Sequence, residues 1–254
     1  MLEFDLALLL AAALFAGFID AVAGGGGLIQ VPALLMALPA ESPATVFGTN
    51  KVASICGTGN AAVGYARRIA LPWDIAVPAA GTAFVFAFAG AAAVAWLPKG
   101  VVRPLVLGLL ALVLTYTVVR PGFGVVSGSR LASGVERRRA GLVGAALGFY
   151  DGFFGPGAGS FLIFAFVRFF QLDFLQASSA AKVVNLATNA AALAYFVPSG
   201  HVLWATGLAM AAFNIAGALV GARLAVRHGS GFVRWAFILV ASLLIARLGY
   251  ETLF

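Results

Sequence analysis

A chain of 254 residues that is 62% hydrophobic and only 10% charged, with a mean hydropathy of +1.03, has too few charges to clothe a soluble domain of its size. The formal net charge of +7 does not point to nucleic acid, because the basic residues fall between apolar runs instead of forming one soluble patch. A single cysteine, Cys56, excludes an internal disulfide.

The chain opens with MLEFDLALLLAAALFAG, which carries Glu3 and Asp5 and no basic stretch. It is a poor signal peptide and a better first membrane segment. A membrane helix needs about 20 predominantly apolar residues. The region 5–38 is interrupted by the cluster Gly24 to Gly27 and predicts a hairpin of shorter or broken helices. Uninterrupted spans follow at 44–66, 74–97 and 101–119. The stretch from Pro121 to Arg139, rich in Gly, Ser and Arg, reads as a cytoplasmic linker. The region 140–172 is again broken, around GPGAGS at Gly155 to Ser160, and spans at 176–197, 202–224 and 233–250 complete the chain. The expected fold is an all-α polytopic membrane protein of about eight transmembrane helices, including glycine-rich broken or re-entrant hairpins. Its expected units are 1–120, a basic linker 121–139, and 140–254. Trp73, Trp96, Trp204 and Trp235 fall near span ends, where aromatic belts collect.

Orientation follows from the connections. Placing Arg67 and Arg68 in the cytoplasm puts eleven basic residues inside and three outside, Lys99, Arg103 and Arg247. Both termini then lie on the far side, and Lys51 and Lys182 remain within apolar segments.

Shifting the sequence by 131 residues superposes its halves. GFID at Gly17 to Asp20 meets GFYD at Gly148 to Asp151, Gly24 meets Gly155, and Gly26 meets Gly157. Lys51 meets Lys182, Trp73 meets Trp204, and Arg103 meets Arg234, without a gap. The predicted course of 44–66 runs inward and that of 176–197 outward, so the two repeats are expected to be inverted. Inverted repeats with broken helices are a recurring plan of secondary transporters.

Four ionisable residues lie in apolar stretches: Asp20, Lys51, Asp151 and Lys182. A charge at the bilayer centre costs at least about 2.5–3.5 kcal/mol, so such groups face a partner or a cavity. The Asp-to-Lys separation is 31 residues in both halves. One reading makes each Asp and Lys a structural ion pair holding hairpin to helix. The other puts the lysines at a substrate site and leaves Asp20 and Asp151 to take up protons. Lys182, Asn185 and Asn189 share one helical face, as do Lys51, Ser54 and Thr58. The glycines at 24–27 and 155–159 precede helical runs, where helix N-termini offer unsatisfied N–H donors. Two such half-helices meeting two lysines form a cage suited to a small anion. No Gly-Lys-Ser/Thr follows either cluster, which argues against a nucleotide phosphate loop. The only histidines, His201 and His228, are assigned to loops, so no enzyme, zinc site or cofactor is expected at depth.

GFIDAVAGGGGLIQVPALL, GTNKVAS and GFYDGFFGPGAGSFLIF resemble the signature segments of the sulfite exporter TauE/SafE family of membrane permeases, over nearly the whole chain. The resemblance implies a transporter in the cytoplasmic (inner) membrane that exports a small anion, often a sulfur-containing one such as sulfite or an organosulfonate. It implies a substrate-binding role for Gly24, Gly25, Gly26, Asn50 and Lys51 in the first half, and for Gly155, Gly157, Ser160 and Lys182 in the second. Ser54, Asn185 and Asn189 join them from the helical faces. Where Asn50 precedes Lys51, the second half has Ala180 and Ala181 before its lysine, so the halves contribute unequally. The expected partners are the anion, the lipid bilayer and protons as coupling ion. A channel, or a transporter of another small organic anion, is the alternative; the sequence carries no signal of oligomeric state.

Overall fold

Apolar composition and glycine punctuation translate directly into helices and their breaks. The computed structural model describes residues 3–96, 115, 118, 119 and 133–253, and among these every regular element is helical. The helices are α1 (Glu3–Ala23), α2 (Gly27–Ala37), α3 (Pro43–Ala66), α4 (Trp73–Ala92, followed by a 3₁₀ turn Ala93–Trp96), α5 (Ser133–Phe153), α6 (Ala158–Phe170), α7 (Phe174–Phe196) and α8 (Trp204–Leu253). The expected span 101–119 and the stretch from Pro121 to residue 132 lie outside the described residues, apart from isolated helical positions in the former. Arg137, Arg138 and Arg139, read from sequence as linker, stand in the opening turns of α5. The last two expected spans are two helical segments of α8 that meet at a kink at Gly229, where φ is 73° and ψ is −168°.

Local chemistry sets the helix boundaries. The Ser42 hydroxyl accepts from the Thr45 N–H, and Pro43 occupies the first turn of α3, where its missing N–H costs nothing. Asp173 caps α7 by accepting from the Gln176 N–H. The 11 residues of α2 and 13 of α6 rise only about 16 and 20 Å, against a hydrocarbon thickness of about 30 Å. Each is therefore half a crossing, as the glycine interruptions predicted. Windows within α1, α4 and α8 are long and apolar enough to cross a membrane: Leu6–Ala23, Trp73–Ala92 and Trp204–Leu239. Helices α3 and α7 are long enough too, but Asn, Thr, Ser and Lys dilute their apolar content.

The 131-residue shift that aligns the sequence also aligns the architecture. It carries Gly27, Pro43 and Trp73, the first residues of α2, α3 and α4, onto Ala158, Phe174 and Trp204, the first residues of α6, α7 and α8. Helix packing obeys the same exchange. Gly90 of α4 lies against Phe149 and Gly152 of α5, and Gly221 of α8 lies against Phe18 and Ala21 of α1. These are small-residue contacts that bring backbones close, the usual means of helix association in lipid. Helices α3 and α7 pack antiparallel: Gly48 lies by Phe196, Gly59 by Leu186 and Tyr65 by Ser178. By contrast α3 and α8 run parallel, with Val52 by Gly207, Gly57 by Asn214 and Gly64 by Ala222. Large apolar side chains such as Phe15, Val85, Leu142, Trp204 and Leu208 face outward, where a bilayer would cover them. Two apolar clusters fill the inside, one around Phe166, Phe170 and Phe174, the other around Leu34, Phe47 and Phe196.

Candidate functional site

The two helix breaks meet at the middle of the molecule. Backbone reversal after α1 places Gly24 at φ 76°, and reversal after α5 places Gly155 at φ 89°, a conformation that disfavours any side chain. Gly24 also approaches the other hairpin so closely that a Cβ there would fall 2.3 Å from the carbonyl carbon of Gly159. Ser160 bolts the hairpins together: its N–H donates to Gly24 O at 3.1 Å and its hydroxyl to Ala23 O at 2.8 Å. Tyr65 adds a third tie, its hydroxyl donating to Ala21 O at 2.9 Å.

Antiparallel α3 and α7 deliver their lysines to this junction from opposite ends. Lys51 Nζ donates to Asp151 Oδ1 at 2.7 Å, and Lys182 Nζ to Asp20 Oδ2 at 2.9 Å. The pairs exchange between the halves: each lysine takes the aspartate of the other hairpin, not the one 31 residues before it. Lys182 also donates to the Asp20 backbone carbonyl. Thr58 donates to Asp20 Oδ2 at 3.3 Å, and Thr188 donates to Asp151 Oδ2.

A cavity of about 40 Å³ opens between these groups, room for roughly three waters or one small oxyanion. Its wall includes Asp20, Gly24, Asn50, Lys51, Ser54, Asp151, Gly155, Asn185 and Asn189, all expected from the sequence. Five pairs of wall residues are related by the 131-residue shift: Asp20 and Asp151, Gly24 and Gly155, Gly27 and Ala158, Ser54 and Asn185, Thr58 and Asn189. The other expected residues stand behind the wall. Gly25 accepts the Leu28 N–H through its carbonyl, Gly26 packs on Ala16 and Asp20, and Gly157 packs on Leu28 and Phe161. Both Ser160 donors are committed to the first hairpin, and Lys182 is fully buried beneath its aspartate. Thr58, Gly27, Ala158 and Gly159 complete the wall; Thr58 lay on the Lys51 face and Gly27 and Gly159 in the glycine clusters, whereas only tertiary packing selects Ala158. Thr188 was not foreseen either, because it lies off the Lys182, Asn185, Asn189 face.

Electrostatically the site is balanced and incompletely satisfied. Two ammonium groups offset two carboxylates, while the side-chain oxygens of Asn50 and Asn185, both buried, have no hydrogen-bond partner. A buried amide without a partner carries a free-energy cost that a ligand could relieve. Rotation of an amide presents either its oxygen or its NH₂ to the cavity. Among the described residues no cluster of three or more His, Cys, Asp or Glu could hold a metal ion.

The sequence profile of the family described as "Sulfite exporter TauE/SafE" matches residues 9–248. The chain is 34% identical over 240 residues to the "Probable membrane transporter protein YfcA" of Escherichia coli (strain K12), covering 94% of this chain and 88% of that protein. It is 37% identical over 245 residues to the "Probable membrane transporter protein ORF9" of Sinorhizobium sp, covering 96% and 92%. A "Probable membrane transporter protein" of Haemophilus influenzae is 32% identical over 256 residues, covering 97% and 95%. No solved structure matches.

Proposed function

The chain belongs to the sulfite exporter TauE/SafE family of membrane transporters, and from that premise we propose that it moves a small, singly charged anion across the cytoplasmic membrane by alternating access. The single observation that carries this reading is Lys51 in a cavity wall that it shares with Asn50 and Asn185, whose buried side-chain oxygens lack partners. An ammonium held near a small cavity offers charge, and Asn50 and Asn185 offer N–H donors to anion oxygens. Sulfonate and sulfite oxyanions match that donor set, and the family's description names sulfite. Export is the direction that description suggests.

Antiparallel packing of the equivalent helices α3 and α7 supports an inverted repeat, since a repeat axis along the membrane normal would set them parallel. In such a fold, rocking one half against the other opens the central cavity to alternate sides. The exchanged ion pairs sit at that moving junction, so their making and breaking is a natural part of the motion. Protons are the coupling ion we favour, because two carboxylates line the cavity. No catalytic chemistry is needed for this role.

Substrate-induced thermal stabilisation of the purified protein tests the site, using sulfite, sulfate, thiosulfate, methanesulfonate and short carboxylates. Stabilisation by one of these that disappears in Lys51→Ala is expected; a flat response across the panel removes the anion site.

A further inference from the structure

The two Lys–Asp pairs are equivalent by sequence but not by environment. Lys51 and Asp151 both line the cavity, whereas Lys182 is 0% exposed, does not reach the wall and also holds the Asp20 backbone carbonyl. Only Lys51 can therefore turn from its carboxylate to a ligand without rebuilding the fold. Lys51, Lys182, Asp20 and Asp151 sum to zero charge. A bound anion leaves the enclosed site at −1, and one added proton returns it to zero.

Thr188 makes that protonation possible without stranding a polar group. Its single hydroxyl hydrogen has two acceptors in reach, Asp151 Oδ2 and the Asn185 carbonyl at 3.0 Å. With Asp151 ionised, the hydroxyl donates to the carboxylate. With Asp151 protonated, the carboxyl O–H donates to Thr188 Oγ1 and the hydroxyl hydrogen turns to Asn185 O. The Thr188 hydroxyl and Asp151 Oδ2 keep a partner in both states. The first half lacks this device: Gly57 stands at the equivalent position, and the Thr58 hydroxyl bonds to Asp20 alone among the described residues.

Resting on the reading of this cavity as an anion site, we propose that Asp151 takes up one proton for each singly charged anion bound, and that Thr188 is the positioning residue that switches with it. The proton comes from water on the side to which the cavity is open. Lys51 Nζ passes from Asp151 Oδ1 to the anion as the proton adds to Asp151. Among the described residues, few other ionisable groups face Asp151. From α3 comes Lys51, from α1 Asp20 with Lys182 of α7 behind it, and α5's own Tyr150 is held by donating to Pro156 O at 2.7 Å. Helix α4 meets this part of α5 through Gly90, far from its one carboxylate, Asp74, and the Arg168 of α6 stands in that helix's last turn. Empty and loaded carriers are then both neutral at the site. Flux is coupled to the pH gradient and ignores the membrane potential, so net export requires an outward anion gradient larger than any inward proton gradient.

The test is calorimetry of methanesulfonate binding to the whole detergent-solubilised protein at neutral pH, in two buffers of different ionisation enthalpy. Methanesulfonate stays singly charged there, so any proton taken up belongs to the protein. The wild type should take up one proton per anion. Asp151→Asn, which resembles the protonated form, should bind with no uptake. Thr188→Val should shift the pH profile of uptake, and Thr188→Ser should restore it. Binding by the wild type without uptake, or undiminished uptake by Asp151→Asn, overturns the assignment. An unshifted profile in Thr188→Val overturns the role of Thr188 and remains measurable even if Asp151→Asn fails to fold. No binding heat from the wild type takes down the anion-site reading itself, and the inference with it.

Discussion

The ammonium of Lys51 lies 2.7 Å from the carboxylate of Asp151, a residue 100 positions later in the chain. Its counterpart, Lys182 with Asp20, spans 162 positions at 2.9 Å. Each half of the chain thus supplies the charge that the other half buries. Two unit charges about 4 Å apart interact by roughly 4 kcal/mol at an effective dielectric of 20, enough to hold the hairpin junction closed and small enough for an anion to compete.

The two lysines should respond differently to removal. Lys51→Ala exposes its loss at the cavity and should abolish anion-induced stabilisation while the protein still folds. Lys182→Ala leaves Asp20 without the ammonium buried behind it and should mainly lower the thermal midpoint, since breaking a buried pair costs about 3–5 kcal/mol. Thermal denaturation of both variants, with and without anion, separates the two effects.

Glycines 24 and 155 make a second contrast. Gly24→Ala meets both a left-handed backbone and a Cβ 2.3 Å from Gly159, so it should prevent folding. At Gly155 the added carbon would lie 3.3 Å from Asp151 and 3.5 Å from Lys51 Nζ, which is tight but accommodated. Gly155→Ala should therefore fold, at a backbone cost of about 1–2 kcal/mol, with weakened anion binding. Yield and monodispersity of the purified variants read the difference.

Asn185 should show a trade between stability and binding. Its side-chain oxygen is buried without a partner, so Asn185→Ala removes a cost and should leave the thermal midpoint within about 1 kcal/mol of the wild type. The same change takes away a donor to the anion, and affinity should fall about tenfold, the equivalent of about 1.4 kcal/mol. Denaturation and binding measured on one preparation check both halves of the statement.

Helix directions fix a labelling pattern. Thr45 lies against His201, and Tyr65 against Ser178, so the ends of α3 near Glu41 and of α7 near Ser199 share one side. In a Cys56→Ser background, Glu41→Cys and Ser199→Cys should react with an impermeant thiol reagent in intact cells. Arg68→Cys and Arg138→Cys should react only after permeabilisation.

Much of this was legible in the sequence because charge is expensive in lipid and clustered glycines interrupt apolar helices. The breaks at Gly24 and Gly155, the half-length α2 and α6, and the polar faces of α3 and α7 all followed from spacing. The exchange of ion pairs did not. The equal 31-residue interval suggested, as one of two readings, an ion pair of each Asp with its Lys, and only the antiparallel packing of α3 on α7 brings Lys51 to Asp151. Thr188 escaped for a related reason: it stands off the helical face chosen by Lys182, Asn185 and Asn189, yet the second hairpin reaches it. Ser160 was expected as a ligand because the family resemblance implied it, whereas its donors fasten one hairpin to the other. The break between the last two expected spans falls at Gly229, whose backbone leaves helical geometry.

Efflux from proteoliposomes tests the central claim most directly. Vesicles loaded with labelled sulfite or methanesulfonate should release it through the wild type at a rate that saturates with concentration, and through Lys51→Ala no faster than protein-free vesicles do. Equal efflux through the wild type and Lys51→Ala, or a wild-type rate no greater than the passive leak for both anions, would contradict it.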